Sequence, residues 1–374
     1  MSSDFLWYLP SHGDGRELAA SAHHLEAEGR RQRPPTLGYL KQVAVAAEEA
    51  GFSAALIPTG VRCEDAWLVA AAVSQHTRAL KSVVAFRPGL VNPAMAAQSA
   101  ASFQQLTGGR LLLNVVTGGS AREQRAYGDF LDHDQRYERT AEFLQVVRGL
   151  FRGPGYTHRG TYYQIEDGGL VEPLVHTPTL YFGGASDAAQ RVAAEHADVY
   201  LLWGETPAMV RERIASMQQQ AERHGRTLRF GLRLHVITRD SEDEAWAEAK
   251  RLLDGIPRGA IERASRELAA MESVGQARML GLSKGRGLGV RELEVSPNLW
   301  AGVSLVRGGA GTALTGSHAQ VAERIAEYEA LGIDTFILSA YPNLEEAVRV
   351  GEDLLPLLRG RGAPAQPLGF VAAS

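Results

Sequence analysis

The chain has 374 residues, 45% of them hydrophobic and 22% charged, which is enough apolar material for one large domain or two medium ones. A formal net charge of −4 with both signs scattered argues against a nucleic-acid footprint or a polybasic membrane patch, so neither partner is expected. The single cysteine, Cys63, excludes a disulfide framework and any multi-thiolate metal site.

The first apolar run, Phe5 to Pro10, follows Asp4 and is far too short for a secretory or membrane segment. No run of about 18 apolar residues occurs elsewhere, and a cytoplasmic location is expected. An excursion, Gly13 to Pro35, separates this strand from a helix whose Leu40, Val43, Ala44 and Ala47 keep one-face spacing. That helix stops at Glu48-Glu49-Ala50-Gly51-Phe52, where the glycine suits a left-handed C′ position, and Ala54 to Pro58 follows as a strand. Further strands are predicted at Ser82 to Pro88 and Arg110 to Val116. After a second excursion, Arg152 to Pro178, strands recur at Thr179 to Gly184 and Val199 to Trp203. A helix carrying Val210, Ile214, Met217 and Ala221 leads into Arg229 to Ile237, where alternation puts Arg233 and His235 on one face and Leu232, Leu234 and Val236 on the other. A third excursion, Leu253 to Ser317, contains Arg307-Gly308-Gly309-Ala310-Gly311-Thr312, a stretch that reads as too glycine-rich to hold one shape and as a natural lid. The last strand, Asp334 to Tyr341, comes after Glu329-Ala330-Leu331-Gly332-Ile333, which repeats the earlier helix stop.

Strands and helices in alternation mean parallel β-structure with crossovers. Eight strands favour a closed (β/α)8 TIM barrel over a doubly wound sheet. Residues 1–362 are expected to form one domain with insertions near 13–35, 152–178 and 253–317, and 363–374 a loose tail.

In such a barrel the loops after the strands build the site. The strand ends present His12, Asp14, Cys63, Arg87, Asn114, Thr117, Gly183 to Ser186, Trp203, Arg233, His235 and Tyr341. Schiff-base chemistry needs a lysine at the mouth, yet of the four lysines Lys41 and Lys250 sit on helices and Lys81 precedes its strand. The strand ends also offer almost no carboxylate for a metal, and none is expected. They do offer cations, imidazoles and a large aromatic, a set suited to an anionic substrate with an apolar part. Arg233 and Arg307 are the candidates for bidentate contact with an oxyanion, and Trp203 for an apolar wall. Tyr181-Phe182-Gly183-Gly184-Ala185-Ser186-Asp187 reads as strand, small-residue turn and helix start, a phosphate site; with Asn114 and Thr117 it suggests a phosphorylated cofactor. Arg62 beside Cys63 would lower the thiol pKa, but a pocket-lining role fits Cys63 better than nucleophilic attack.

These stretches, together with WYLPSHGDG (7–15), IPTGVRCEDAWL (57–68), SPNLWAGVSLVRGGAGT (296–312) and YPNLEE (341–346), resemble the flavin-dependent alkanesulfonate monooxygenases of the bacterial luciferase-like superfamily over nearly the whole length. The resemblance implies a two-component system: a separate NAD(P)H-dependent FMN reductase supplies FMNH2, loosely bound, and this chain uses it with O2 to convert an alkanesulfonate to aldehyde and sulfite for sulfur assimilation. It also implies a homo-oligomer, expected as a homotetramer. By the same resemblance His12, Cys63, Trp203, Arg233, His235, Arg307 and Tyr341 match active-site positions. Arg233 and Arg307 would clamp the sulfonate, with His12, His235 and Tyr341 as hydrogen-bonding or proton-transfer groups. The FMN phosphate would lie near Tyr137 and Gly184-Ala185-Ser186, with Asn114, Thr117 and His133 along the rest of the flavin. A related flavin or deazaflavin oxidoreductase acting on another small substrate, such as a sulfone, is the alternative. The Leu18 to Pro35 segment, with His23, His24, Arg30, Arg31 and Arg33, departs from the family pattern.

Overall fold

The computed structural model describes residues 3–21, 33–257 and 259–360. Eight strands pair in parallel: β1 (Asp4–Tyr8), β2 (Ala54–Ile57), β3 (Lys81–Phe86), β4 (Leu111–Val115), β5 (Leu180–Gly183), β6 (Val199–Trp203), β7 (Arg229–Arg239) and β8 (Ile333–Ser339). Because β8 pairs with both β7 and β1, and β1 with β2, the ring closes into a (β/α)8 barrel. Every predicted strand is present.

Alternation along the strands makes two apolar layers. Phe5, Trp7, Leu113, Phe182, Leu232, Leu234 and Val236 face the surrounding helices, whereas Leu6, Tyr8, Leu56, Val83, Tyr181, Leu201 and Ile337 fill the barrel. Helix Leu37–Glu49 buries Leu40, Val43, Ala44 and Ala47, and helix Pro207–Glu222 buries Val210, Ile214, Met217 and Ala221, as their spacing predicts. Gly51 (φ 90°) and Gly332 (φ 104°) adopt the left-handed conformation that lets helix turn directly into strand.

The excursions hold more order than their sequences suggest. Residues 152–178 contain an antiparallel hairpin, Tyr156–Arg159 with Gln164–Gly168. The third excursion contributes helices Ala260–Ala269 and Val274–Ser283, and ends in a strand, Ala313–Ser317, that pairs in parallel with residues 235–239 of β7. That partner explains why β7 runs to Arg239 rather than stopping at Ile237: its second half leaves the barrel but keeps a hydrogen-bonded neighbour. In the first excursion Leu18–Ser21 forms a 3-10 turn, and Asp14 bridges to Arg33, whose guanidinium pairs with Glu345 at 2.7 Å. His23, His24, Arg30 and Arg31 lie outside the described residues, as does the expected tail at 363–374.

One buried imidazole makes the fold acid-sensitive. His196 closes helix Asp187–His196 with 7% exposure; burial, joined by Arg148 and Arg226 and opposed by Glu195, holds its pKa down to about 4. A histidine that resists protonation only when folded contributes stability that is complete above the unfolded value of about 6.5 and is lost as pH falls toward about 4, up to about 3 kcal/mol. Urea unfolding is therefore expected to show a falling free energy across that interval, flattened in His196→Asn. Equal slopes in the two proteins would refute the assignment.

Candidate active site

The carboxyl ends of the strands open into a cavity of about 360 Å³. At one end Arg233, from β7, lies over the Tyr8 ring of β1 (Cζ 4.4 Å from the centroid), and Arg307, from the third excursion, lies over the same ring at 5.3 Å. Both guanidinium groups are buried, at 8% and 5% exposure. Arg307 Nη1 donates to Tyr341 Oη (2.8 Å) and lies 3.1 Å from His235 Nε2, while Arg233 Nη1 is buried without a hydrogen-bond partner. Among the described residues neither guanidinium pairs with a carboxylate. Arg87, also in the wall, differs: Glu123 neutralises it at 2.8 Å. Two buried cations without a carboxylate partner are chemically suited to hold an oxyanion.

Burial, then repulsion from Arg307, lowers the Arg233 pKa to about 10, which still leaves it cationic at neutral pH. Burial works against the Arg307 charge as well, but the Tyr341 and Tyr8 hydroxyls more than offset it and its pKa rises. His235 is pushed well below the ordinary histidine value by burial and by both arginines, so the imidazole is neutral. His235 Nε2 lies between the Arg307 Nη1 donor (3.1 Å) and the Ala310 carbonyl acceptor (3.2 Å), and Nδ1 lies 2.9 Å from Ser339 Oγ, so both ring nitrogens are held whichever carries the proton. His235 thus supports Arg307 from behind, with its ring stacked on Tyr341 at 16°. Burial raises the Tyr8 hydroxyl to about 12, and its oxygen lies 3.2 Å from His12 Nδ1.

Cys63 corrects one expectation. Burial raises the thiol to about 11, with Glu123 pushing the same way and only Ser11, Arg307 and Arg87 opposing; Arg62 is not among the groups that set it. Trp203, at the end of β6, walls the cavity, and its ring packs so closely on helix Val274–Ser283 that a Cβ on Gly275 would lie 3.1 Å from it. His12, Cys63, His235 and Tyr341 stand behind the lining rather than in it. Asp14, at the β1 end, is consumed structurally by Tyr39, Gly15 and Asn343.

The other end of the cavity is lined by Asn114, Thr117, His133, Tyr137, Gly184, Ala185 and Ser186, all from the predicted phosphate and cofactor set. Arg213 joins them from the next helix, reaching the Ala185 carbonyl at 3.4 Å. Any Cβ at Gly184 (φ 150°) would lie 2.5 Å from the Ala189 Cβ and 3.3 Å from Tyr137 Oη, so only glycine leaves this cradle open. A hydroxyl, a phenol, a guanidinium and a small-residue turn at the start of helix Asp187–His196 fit the phosphate of FMN.

The glycine run Arg307 to Thr312 is not shapeless. Gly309 N–H donates to Gln276 Oε1 (2.9 Å), Thr312 Oγ1 to the Gly204 carbonyl (2.6 Å) and Ser304 N–H to the Gly311 carbonyl (2.8 Å). Its glycines serve close approach: a Cβ on Gly311 would meet Ser304 Cβ at 2.6 Å. Arg278, two residues beyond Gln276, pairs with Glu205, and Arg136 pairs with Glu272, so this roof is tied to the barrel on two sides. Gln276 supplies the one hydrogen bond that anchors Gly309 among the described residues. In Gln276→Leu, amide hydrogen exchange at Gly309 is expected to accelerate by about tenfold, the order of one lost hydrogen bond, with Gln276→Glu restoring protection. Unchanged exchange would show that packing alone holds the loop.

A family model described as luciferase-like monooxygenase matches residues 3–335. The chain belongs to the luciferase-like monooxygenase family. Solved structures carry the same fold. A riboflavin lyase, determined with a modified FMN and its substrate riboflavin, gives a TM-score of 0.79 at 21% identity over 98% of this chain and 93% of its own. A long-chain alkane monooxygenase gives 0.77 at 21% over 96% and 92%, and an EDTA monooxygenase from Chelativorans sp. BNC1 gives 0.76 at 21% over 97% and 94%. Among the described residues of this luciferase-like chain no helix is long and apolar enough to cross a membrane, and no group of three or more His, Cys, Asp or Glu side chains is placed to hold a metal ion.

Four residues of the site and its roof are absent from the strand-end set. Tyr8 could have been found by it, because alternation from Leu6 points Tyr8 inward. Arg213, Gln276 and Arg278 lie on helices, where only the folded chain shows which polar groups lean over the mouth.

Proposed function

We propose that this chain is an FMNH2- and O2-dependent alkanesulfonate monooxygenase, releasing sulfite and an aldehyde. The observation that carries this reading is the pair of buried guanidinium groups, Arg233 and Arg307, facing one cavity with no carboxylate among the described residues to neutralise them. A neutral substrate would leave two cations without a counter-charge, and a sulfonate supplies three acceptor oxygens.

FMNH2 is proposed to lie with its phosphate at Tyr137, Gly184, Ala185, Ser186 and Arg213 and the rest of the molecule along Asn114, Thr117 and His133. When bound, reduced flavin supplies the two electrons that divide O2 between the aldehyde and water while the carbon–sulfur bond breaks. The residues of the chain do the rest. Arg233 and Arg307 hold the sulfonate, neutral His235 and Tyr341 fix the Arg307 fork, and Tyr8, protonated at neutral pH, presents its ring beneath both cations. The roof segment 307–310 keeps water from the reacting atoms.

A separate NAD(P)H-dependent FMN reductase is proposed as the source of reduced flavin. Association of copies, proposed as a homotetramer, is supported by Leu68, Met95 and Leu106, each more than half exposed on two successive helices. The test is direct: incubate the chain with an FMN reductase, NADH, FMN, O2 and straight-chain sulfonates from one to ten carbons, and measure sulfite. Dimethyl sulfone in parallel separates the alternative. Turnover of the sulfone without sulfite from any sulfonate would overturn the reading.

A further inference from the structure

A second cavity, of about 580 Å³, lies under helix His133–Leu150 on the outer side of the barrel wall. Its walls are apolar: Phe143, Val147 and Phe151 from the helix and its end, Leu113 and Leu180 from β4 and β5, and Leu174 from the second excursion. Its rim is cationic. Arg148, Arg152 and Arg226 all border it, and among the described residues the one carboxylate in its lining is Asp198.

The charges at that rim do not balance. Asp198 Oδ2 accepts from the Leu180 N–H at 2.9 Å, and its other oxygen lies 3.3 Å from Arg226 Nη2 and 3.5 Å from Arg148 Nη2. Arg148 and Arg226 also donate to the carbonyls of His196 and Ala197, so one nitrogen of each caps the end of helix Asp187–His196. That structural duty leaves Arg226 Nε buried without a partner. The exposed side chain of Arg152 has no hydrogen-bond or ion-pair partner among the described residues, and its charge adds to the repulsion around Arg148. Three guanidinium groups against one carboxylate, beside an apolar hollow, form a head-group site joined to a chain site.

We propose that this cavity binds an unbranched medium-chain aliphatic carboxylate, its chain between helix His133–Leu150 and the sheet and its head group among Arg148, Arg152 and Arg226. The site is separate from the cavity at the barrel mouth, with which it shares no lining residue. It does not depend on the proposed desulfonation.

Calorimetric titration of sodium octanoate into the full-length chain tests it. One site per chain is expected, retained in a protein carrying Arg233→Ala and Arg307→Ala, which excludes binding at the mouth. Val147→Trp, which fills the hollow, is expected to abolish binding. Arg152→Glu, a surface change that leaves the fold intact, is expected to weaken it about fivefold, the scale of reversing one solvent-screened charge. Octanol should bind at least about tenfold more weakly than octanoate, the value of a charge-assisted contact. Absence of saturable octanoate binding, equal binding of octanol, or an affinity untouched by Arg152→Glu would each overturn the proposal, and the last arm decides even where Val147→Trp fails to fold.

Discussion

Arg233→Ala is expected to lower kcat/KM for sulfite release about a thousandfold, and Arg307→Ala about a hundredfold. A charged hydrogen bond in a dry site is worth about 1.5–3 kcal/mol, and a buried anion left with one of two cations loses more, to about 4 kcal/mol; each 1.4 kcal/mol is a factor of ten. Arg233 carries the larger share because its Nη1 has no partner among the described residues, whereas Arg307 already donates to Tyr341 and lies against His235. Arg233→Lys keeps a charge but loses the planar fork, so it should recover less than about a tenth of the activity. Stability moves the other way. Burial and repulsion from Arg307 penalise the Arg233 charge in the free protein, so Arg233→Met, which keeps most of the volume, should melt no lower than the parent chain. Activity that survives both alanine substitutions, or a melting temperature that drops sharply in Arg233→Met, would mean that these arginines are structural.

Arg213→Ala is expected to weaken FMN binding about tenfold while leaving riboflavin, which lacks the phosphate, unaffected. The loss lies at the lower end of the range for a charged hydrogen bond, because Arg213 is partly exposed and solvent screens it. Flavin fluorescence titration reads both ligands. A parallel loss for riboflavin would place the ring, not the phosphate, near Arg213. Gly184→Val complements the test, since its side chain would collide with Ala189 and close the cradle for FMN whatever the charge at Arg213.

Much of the architecture was legible in the one-dimensional pattern because it rests on short-range rules. Eight apolar runs, helix faces at 3.6-residue spacing, and glycines at positions 51 and 332 depend only on side-chain periodicity and backbone sterics. Alternation also placed Arg233 and His235 inside the barrel, since a β-strand settles the face of each residue locally. The turn at Gly184 to Ser186 could be read for the same reason.

What alternation could not supply was partnership across the fold. Composition marked Arg307 to Thr312 as shapeless, but long-range bonds from Gln276 and Gly204 fix it, and neither is near it in the chain. Arg87, Arg233 and Arg307 look alike in sequence; Glu123 neutralises the first and nothing among the described residues neutralises the others. The neutral state of His235 and the raised pKa of the Cys63 thiol arise chiefly from burial, which only the packed chain creates. Local periodicity therefore determined which faces turn inward, and tertiary packing decided which inward charges remain unpaid, because desolvation and charge compensation are properties of neighbours distant in sequence.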